Sequence, residues 1–289
     1  MKSDGHVVSV IIPTVGRDTL AQCQAALTKQ TRPPDEVIVI VDHDRRGAAW
    51  ARNEGIRRAK GDILAFTDDD TIPSDDWLER LVLALDRHQA VAAGGALQET
   101  DPLLNAIRSL KPLPDRETID AEGLVGGTGN IAFMRAWLDG LQAQDGYVFN
   151  ERFTPCGEDW ELIWRLRRRG ATMVYVPNPV IHLRRATWWQ HCRHRFQRGV
   201  GIAKLFHLQR SVQTDVIVQD SLLWGKGGKK ARPRWLTALW VHAVGPFNAR
   251  DFHGAKEFAL YWIGEKFRAV GFLWGLAQAA FHPRTQAKS

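Results

Sequence analysis

Apolar residues gather in short runs at regular intervals through the first part of the chain. Residues 7–12 form one run, closed by Pro13. Residues 37–41 form a second, closed by Asp42, and residues 63–66 a third, closed by Asp68, Asp69 and Asp70 after Thr67. Runs of this length with abrupt polar ends read as strands buried on both faces. Residues 19–28 and 48–59 carry helical spacing, the first after Asp18 and the second after Gly47. Strand, helix, strand, helix, strand predicts an α/β fold with a mainly parallel sheet flanked by helices.

Further along, Pro73, Ser74, Asp75 and Asp76 mark the start of a helix over 74–88, with carboxylates set against its dipole. Residues 91–97 read as another strand, and 101–122, rich in proline and charge, as a loop. Glycines at 126, 127 and 129 precede Asn130 and the apolar 131–134. They suit close backbone approach to a substrate, or a plain turn. A helix opens at Cys156-Gly157-Glu158-Asp159-Trp160, a strand over 171–176 ends at Pro177, and Val180-Ile181 leads to His182.

Residues 188–207 predict a strongly basic helix, and 225–234 a linker. Beyond it, 235–244, 258–263 and 267–281 read as amphipathic helices. In the last, Phe267, Val270, Trp274, Ala277 and Phe281 fall at helical spacing. Such a stripe suits packing on a core or lying in a lipid interface. The domain reading is a main α/β domain over 1–210 and a basic, Trp-rich helical extension over 211–289.

Charge sharpens this division. Residues 184–289 hold 18 Lys and Arg against 5 Asp and Glu, a net +13, whereas residues 1–183 carry −6. The same segment has seven of the twelve tryptophans, a combination that suits an anionic membrane surface. No cationic, apolar leader precedes the first strand, and the uncharged run 269–283 is too short to span a bilayer. The expectation is a cytoplasmic protein, peripheral on the inner face of the plasma membrane. Three widely spaced cysteines, Cys23, Cys156 and Cys192, write neither a disulfide framework nor a four-ligand zinc site.

Ligands of open α/β sheets bind beyond the carboxyl ends of the strands. Pro13, Thr14, Asp42 and the aspartate triplet are therefore expected to converge on one crevice. In an extended chain Asp68 and Asp70 share a side and Asp69 takes the other. Two carboxylates so placed can hold Mg²⁺ or Mn²⁺ together with substrate phosphates, although an acidic stretch also suits a helix start. No GxGxxG follows the first strand and no GxxxxGK[ST] occurs, so neither common phosphate loop is present. At 158–159 the carboxylates at a helix mouth suit either the helix dipole or a general base.

In this order, VSVIIPT, VIVIVDHD, GAAWARNEGIRRAKGDILAFTDDD, GTGNIAF and GEDWELIWRL resemble the family 2 glycosyltransferases of the GT-A fold, over roughly residues 7–205. The resemblance implies transfer of a sugar from a nucleoside-diphosphate sugar, a UDP-sugar first among the candidates, to a glycan or lipid-linked acceptor hydroxyl. It implies donor contacts at Thr14 and Asp42, with Arg52 near the nucleotide. It makes Asp68–Asp70 a DxD motif, with Asp68 facing the ribose and Asp70 binding Mn²⁺ or Mg²⁺.

By the same resemblance Asp159 is the general base of an inverting reaction, Glu158 helps bind the acceptor, and His182 is a third metal ligand. Pro13, Asp69, Gly129 and Asn130 join the substrate-binding set. Where family members often read DDGS, this chain has Asp42-His43-Asp44-Arg45, which leaves Asp42 and Asp44 both as candidate nucleotide contacts. A metal-dependent nucleotidyltransferase is the alternative enzyme, distinguished by release of pyrophosphate from a nucleoside triphosphate. A scaffold with a nucleic-acid-binding tail is the non-catalytic alternative; it is disfavoured because the acidic half repels phosphate chains.

Overall fold

The computed structural model of the protein describes residues 5–102, 104, 113–120, 125, 127–184, 187–210 and 255–281. By internal contacts the chain divides into two compact units. One comprises Met1–Asn105, Pro112–Thr154 and Glu158–Arg185; the other comprises Ala106–Lys111, Pro155–Gly157 and Ala186–Ser289.

In the first unit, β1 (Val8–Thr14), β2 (Glu36–Val41) and β3 (Ile63–Thr67) alternate with helices α1 (Leu20–Leu27) and α2 (Ala48–Arg58). Next come β4 (Thr71–Ile72), α3 (Trp77–His88), β5 (Ala92–Gly94), β6 (Leu97–Glu99), β7 (Thr118–Ile119) and β8 (Asn130–Met134). Helices α4 (Arg135–Asp145) and α5 (Glu158–Arg168) and strands β9 (Met173–Tyr175) and β10 (Val180–His182) complete it.

Seven strands form a sheet in the order β2-β1-β3-β8-β5-β9-β7. Strands β2, β1, β3, β5 and β9 run one way, while β8 and β7 run against them. The sheet is mixed and mostly parallel, as the strand–helix alternation predicts. The apolar runs feed both of its faces. Ile11, Leu64, Phe66, Ile131 and Phe133 pack on one side with α2, α4 and α5. Val10, Ile12, Ile63, Ala65 and Ala132 pack on the other with α1 and α3. This two-sided burial explains why the runs are continuous rather than alternating.

Two expectations need correction. Residues 91–97 are not one strand, because Gly94-Gly95 turns the chain out of the large sheet. A Cβ on Gly95 would lie 2.6 Å from Asn178 Oδ1 and 2.7 Å from the Val176 carbonyl. The chain resumes as β6 in a second sheet, β4-β10-β6. Within the expected loop over 101–122, β7 pairs with β9; residues 103, 105–112, 121 and 122 lie outside the described residues.

In the second unit, α6 (Trp188–Arg210) packs on α7 (Ala255–Phe281). Residues 258–263 and 267–281 belong to one helix, since a lone Gly264 does not break it. The seam is made by small residues. Gly199 lies against the Arg268 backbone, Gly271 against Phe196 and Gly275 against Ala203, close approaches that a side chain would block. Val270, Leu273 and Trp274 are more than half exposed on the other side of α7. The expected linker at 225–234 and helix at 235–244 lie outside the described residues. Among the described residues, no helix is long and apolar enough to cross a membrane.

Candidate functional site

The carboxyl ends of β1 and β3 lie side by side in the sheet. Strand β3 stops at Thr67, and the aspartate triplet is a turn rather than an extended segment. Thr71 N donates to the Asp68 carbonyl at 3.2 Å, and the Thr71 hydroxyl donates to the same carbonyl at 2.7 Å. The expected alternation therefore does not hold. Asp69 and Asp70 share a cation while Asp68 faces another.

That shared cation is Arg17, in the loop after β1. Its Nη1 donates to Asp69 Oδ1 at 2.6 Å and to Asp70 Oδ2 at 2.8 Å. The Thr14 hydroxyl donates to the other Asp69 oxygen and accepts from Gly16 N. Asp69 is buried. The remaining Asp70 oxygen, Oδ1, lies 3.3 Å from His182 Nε2, and Asp70 O accepts from Leu183 N at 2.8 Å. On the far side of the imidazole, Nδ1 is 2.9 Å from Glu99 Oε2.

Burial opposes a charge on His182, but Asp70 and Glu99 outweigh it and raise its pKa to about 9. Burial likewise opposes the charge on Asp70, and His182 and Arg17 prevail to hold it below the usual carboxylate range.

Arg52 organises the other half. It projects from α2, is 3% exposed, and donates to Asp68 Oδ1 at 2.9 Å and to Glu158 Oε1 at 2.8 Å. Burial disfavours its charge; Asp68, Glu158 and Asp159 more than compensate and raise its pKa. Asp159 sits in the first turn of α5, half-buried, and accepts from Trp160 N at 2.9 Å. Gly129 passes so close that a Cβ there would stand 2.9 Å from Asp68 Oδ2.

Thr14, Arg52, Asp68, Asp69, Asp70, Gly129, Glu158, Asp159 and His182 are thus linked through Arg17 and Arg52 or by direct contact. The other candidates are placed differently. Both Asp42 carboxylate oxygens accept backbone bonds, from Arg46 N at 2.9 Å and Gly47 N at 2.6 Å, which fixes the loop after β2. Asp44 is exposed on that loop, and Pro13 is buried in β1 beside Ile40. Asn130 faces the core. Its Oδ1 accepts from the Trp77 indole at 2.9 Å, and its Nδ2 donates to the Ala96 and Asn178 carbonyls at 2.9 and 3.0 Å.

Sequence reasoning missed Arg17 and Glu99. Arg17 follows a strand end and could have been found by the rule that identified Thr14. Glu99 carries no local signal, since its partner comes from β10.

A divalent cation with six oxygen or nitrogen donors at about 2.1 Å separates neighbouring donors by about 3 Å. The Asp70–His182 spacing fits such a pair. Among the described residues no three His, Cys, Asp or Glu side chains form an all-protein cage. A cation here would complete its shell from water or phosphate, as Mg²⁺ commonly does.

Residues 40–136 match the model of the glycosyl transferase family 2. Two relatives come from Haloferax volcanii. One is a glycosyltransferase named AglE, 29% identical over 130 residues, covering 35% of this chain and 43% of that protein. The other is named a glucosyl-dolichyl phosphate glucuronosyltransferase, 34% identical over 64 residues, covering 22% of this chain and 20% of that one. The chain thus spans less than half the length of each. A solved mannosyltransferase from Pyrobaculum calidifontis, in complex with GDP-Man and Mn²⁺, shares the fold. Its TM-score is 0.57 at 15% identity, over 96% of this chain and 88% of that one.

Proposed function

This chain belongs to glycosyl transferase family 2 through residues 40–136, and on that premise we propose that it transfers a sugar, with inversion, from a nucleoside-diphosphate sugar to an acceptor hydroxyl. The observation that carries the reading is the Arg52 bridge, which ties Asp68 at the end of β3 to Glu158 at the mouth of α5. One guanidinium thereby sets the distance between the donor-side carboxylates and the residue proposed as base.

Asp70 and His182 are the residues that would hold Mn²⁺ or Mg²⁺. When bound, such an ion supplies Lewis-acid stabilisation of the departing diphosphate. Arg17 bridges Asp69 and Asp70 and relieves their mutual repulsion. Arg52 holds Asp68 in place on the donor side. Asp159 takes the proton of the attacking hydroxyl, with the first turn of α5 favouring its negative form. Asn130 and Asp42 act as framework, the first locking Trp77 under the sheet and the second shaping the loop after β2.

The donor class follows from the family, and UDP- and GDP-sugars are the first to assay, given GDP-Man in the Pyrobaculum protein. A lipid-linked acceptor is favoured by the relative named for glucosyl-dolichyl phosphate. The helix pair supports contact with an anionic lipid surface on the cytoplasmic side. Trp188, Trp189, Val270, Leu273 and Trp274 are exposed while the α6–α7 seam is built from glycines, and indole rings with Arg and Lys suit headgroups.

Asp159→Asn tests the chemistry. Removing a general base typically costs about 10²- to 10⁴-fold in rate. Turnover should fall in that range while nucleotide-sugar affinity stays constant. Equal loss of donor binding and turnover would make Asp159 a structural residue.

A further inference from the structure

We infer that Arg17 is a donor-binding residue: one nitrogen of its guanidinium is held by Asp69 and Asp70, and the open edge takes the diphosphate of the nucleoside-diphosphate sugar. The inference rests on the glycosyltransferase reading above. It gives a ligand-contacting role to a residue outside the five segments that carry the family resemblance.

Local contacts place the side chain where a ligand would come. Strand β1 ends at Thr14, whose hydroxyl donates to Asp69 and accepts from Gly16 N at 2.9 Å. Gly16 has a φ of +85°, a left-handed conformation that glycine adopts without strain. Arg17 follows it, with Nη1 2.6 Å from Asp69 Oδ1 and 2.8 Å from Asp70 Oδ2. Ligands of open α/β sheets bind beyond these carboxyl ends.

A guanidinium carries five N–H donors in a rigid fork. Nη1 has two of them, and each meets a carboxylate. Among the described residues nothing accepts from Nε or Nη2, and the side chain is 52% exposed. Neutralising two aspartates needs only a charge, which an ammonium also supplies. The Nε–Nη2 edge is more than neutralisation needs, and its paired donors match two oxygens of a phosphate. Because Nη1 is already fixed, less side-chain freedom is lost when that edge binds.

The two oxygens of Asp70 have different partners. Oδ1 lies 3.3 Å from His182 Nε2, and Oδ2 accepts from Arg17. The oxygen that faces the other residue proposed to hold Mn²⁺ or Mg²⁺ is thus not the one that Arg17 holds. Two carboxylates outweigh one guanidinium, so contact with an anionic diphosphate is expected in the metal-loaded chain, where the balance turns positive.

The test is calorimetric titration of the full chain with UDP and GDP, with Mn²⁺ raised until the affinity no longer changes. The variants are Arg17→Lys and Arg17→Met, and the melting temperature of each is recorded without nucleotide. Arg17→Met should weaken diphosphate binding by about 10- to 100-fold, the range for hydrogen bonds between charged groups. Arg17→Lys should keep the melting temperature, since an ammonium still bridges the aspartates, yet lose about 10-fold in affinity with the fork.

Full affinity in Arg17→Lys would reduce Arg17 to a neutralising charge and overturn the inference. A loss that disappears at saturating Mn²⁺ would place the effect on the metal ligands, and a loss in Arg17→Lys that comes with a lowered melting temperature would make it structural; either overturns it too. Should Arg17→Met not fold, Arg17→Lys decides alone. If the unsubstituted chain binds neither nucleotide, the donor-site reading itself falls and the inference falls with it.

Discussion

Arg52→Met removes one cation and strands two carboxylates. Arg52 is 3% exposed, its guanidinium contacts Asp68 at 2.9 Å and Glu158 at 2.8 Å, and the charge of Asp159 also acts on it. Methionine keeps most of the aliphatic stem but loses the guanidinium that lies over the Phe149 ring, 5.7 Å from its centroid, so the loss is electrostatic with a smaller cation–π part. Breaking a buried ion pair by removing one partner costs about 3–5 kcal/mol. Two partners are stranded here, but Asp68 is partly exposed, and water screens it. We therefore expect the range for one buried pair rather than twice that amount.

In a unit of this size about 1 kcal/mol corresponds to a shift of roughly 2–4 °C in melting temperature, which predicts a fall of about 6–20 °C. Urea unfolding and calorimetry without nucleotide are the assays. Adding Asp68→Asn and Glu158→Gln to Arg52→Met should recover part of the loss, because the uncompensated charges go with them. A loss below about 1 kcal/mol, the usual range of exposed ion pairs, would refute the picture of Arg52 as the buried tie between β3 and α5.

Two further predictions concern stability. The Asp70 and Glu99 carboxylates raise the His182 pKa to about 9 from the 6.5 of a free imidazole, so its ion pairs stabilise fully below pH 6.5 and that contribution is lost as pH rises through 9. The metal-free chain should lose on the order of 3 kcal/mol across this window. His182→Asn should flatten the profile, and an unchanged profile contradicts the Asp70–His182–Glu99 contacts. Asn130→Ala leaves the Trp77 indole and two carbonyls short of a partner, at about 1–3 kcal/mol for each buried group left unsatisfied. Asp44→Ala, on the exposed loop, should stay within about 0.5 kcal/mol; equal urea midpoints for the two variants would contradict their assigned places.

The large sheet was legible because its strands declare themselves. Residues 8–12 and 63–66 lie in central strands that the sheet buries on both faces, and residues 37–41 in the edge strand are apolar but only partly buried. The strand-end rule then found Thr14 and the aspartates. Parts that depend on distant partners were not legible. Asp42 and Asn130 sit at the right ends of strands, yet their polar atoms are spent on loop backbone, Trp77 and two carbonyls. Glu99 gains its place only through register with His182. The break at Gly94-Gly95 was written in the sequence as a glycine pair, but the apolar neighbours Val91–Ala93 and Leu97 masked it. The turn at Asp68–Asp70 likewise depends on Thr71, whose hydroxyl bonds back to Asp68.

Donor binding at the aspartate turn is the central claim, and thermal stabilisation by UDP and GDP, each with and without Mn²⁺, measures it most directly. A ligand at a hundred times its dissociation constant stabilises by about 2.7 kcal/mol, which in this unit corresponds to roughly 5–10 °C. The account predicts such a shift with one nucleotide, only when Mn²⁺ is present, and its loss in Asp70→Ala. A shift of the same size without metal, or one that survives Asp70→Ala, would contradict it.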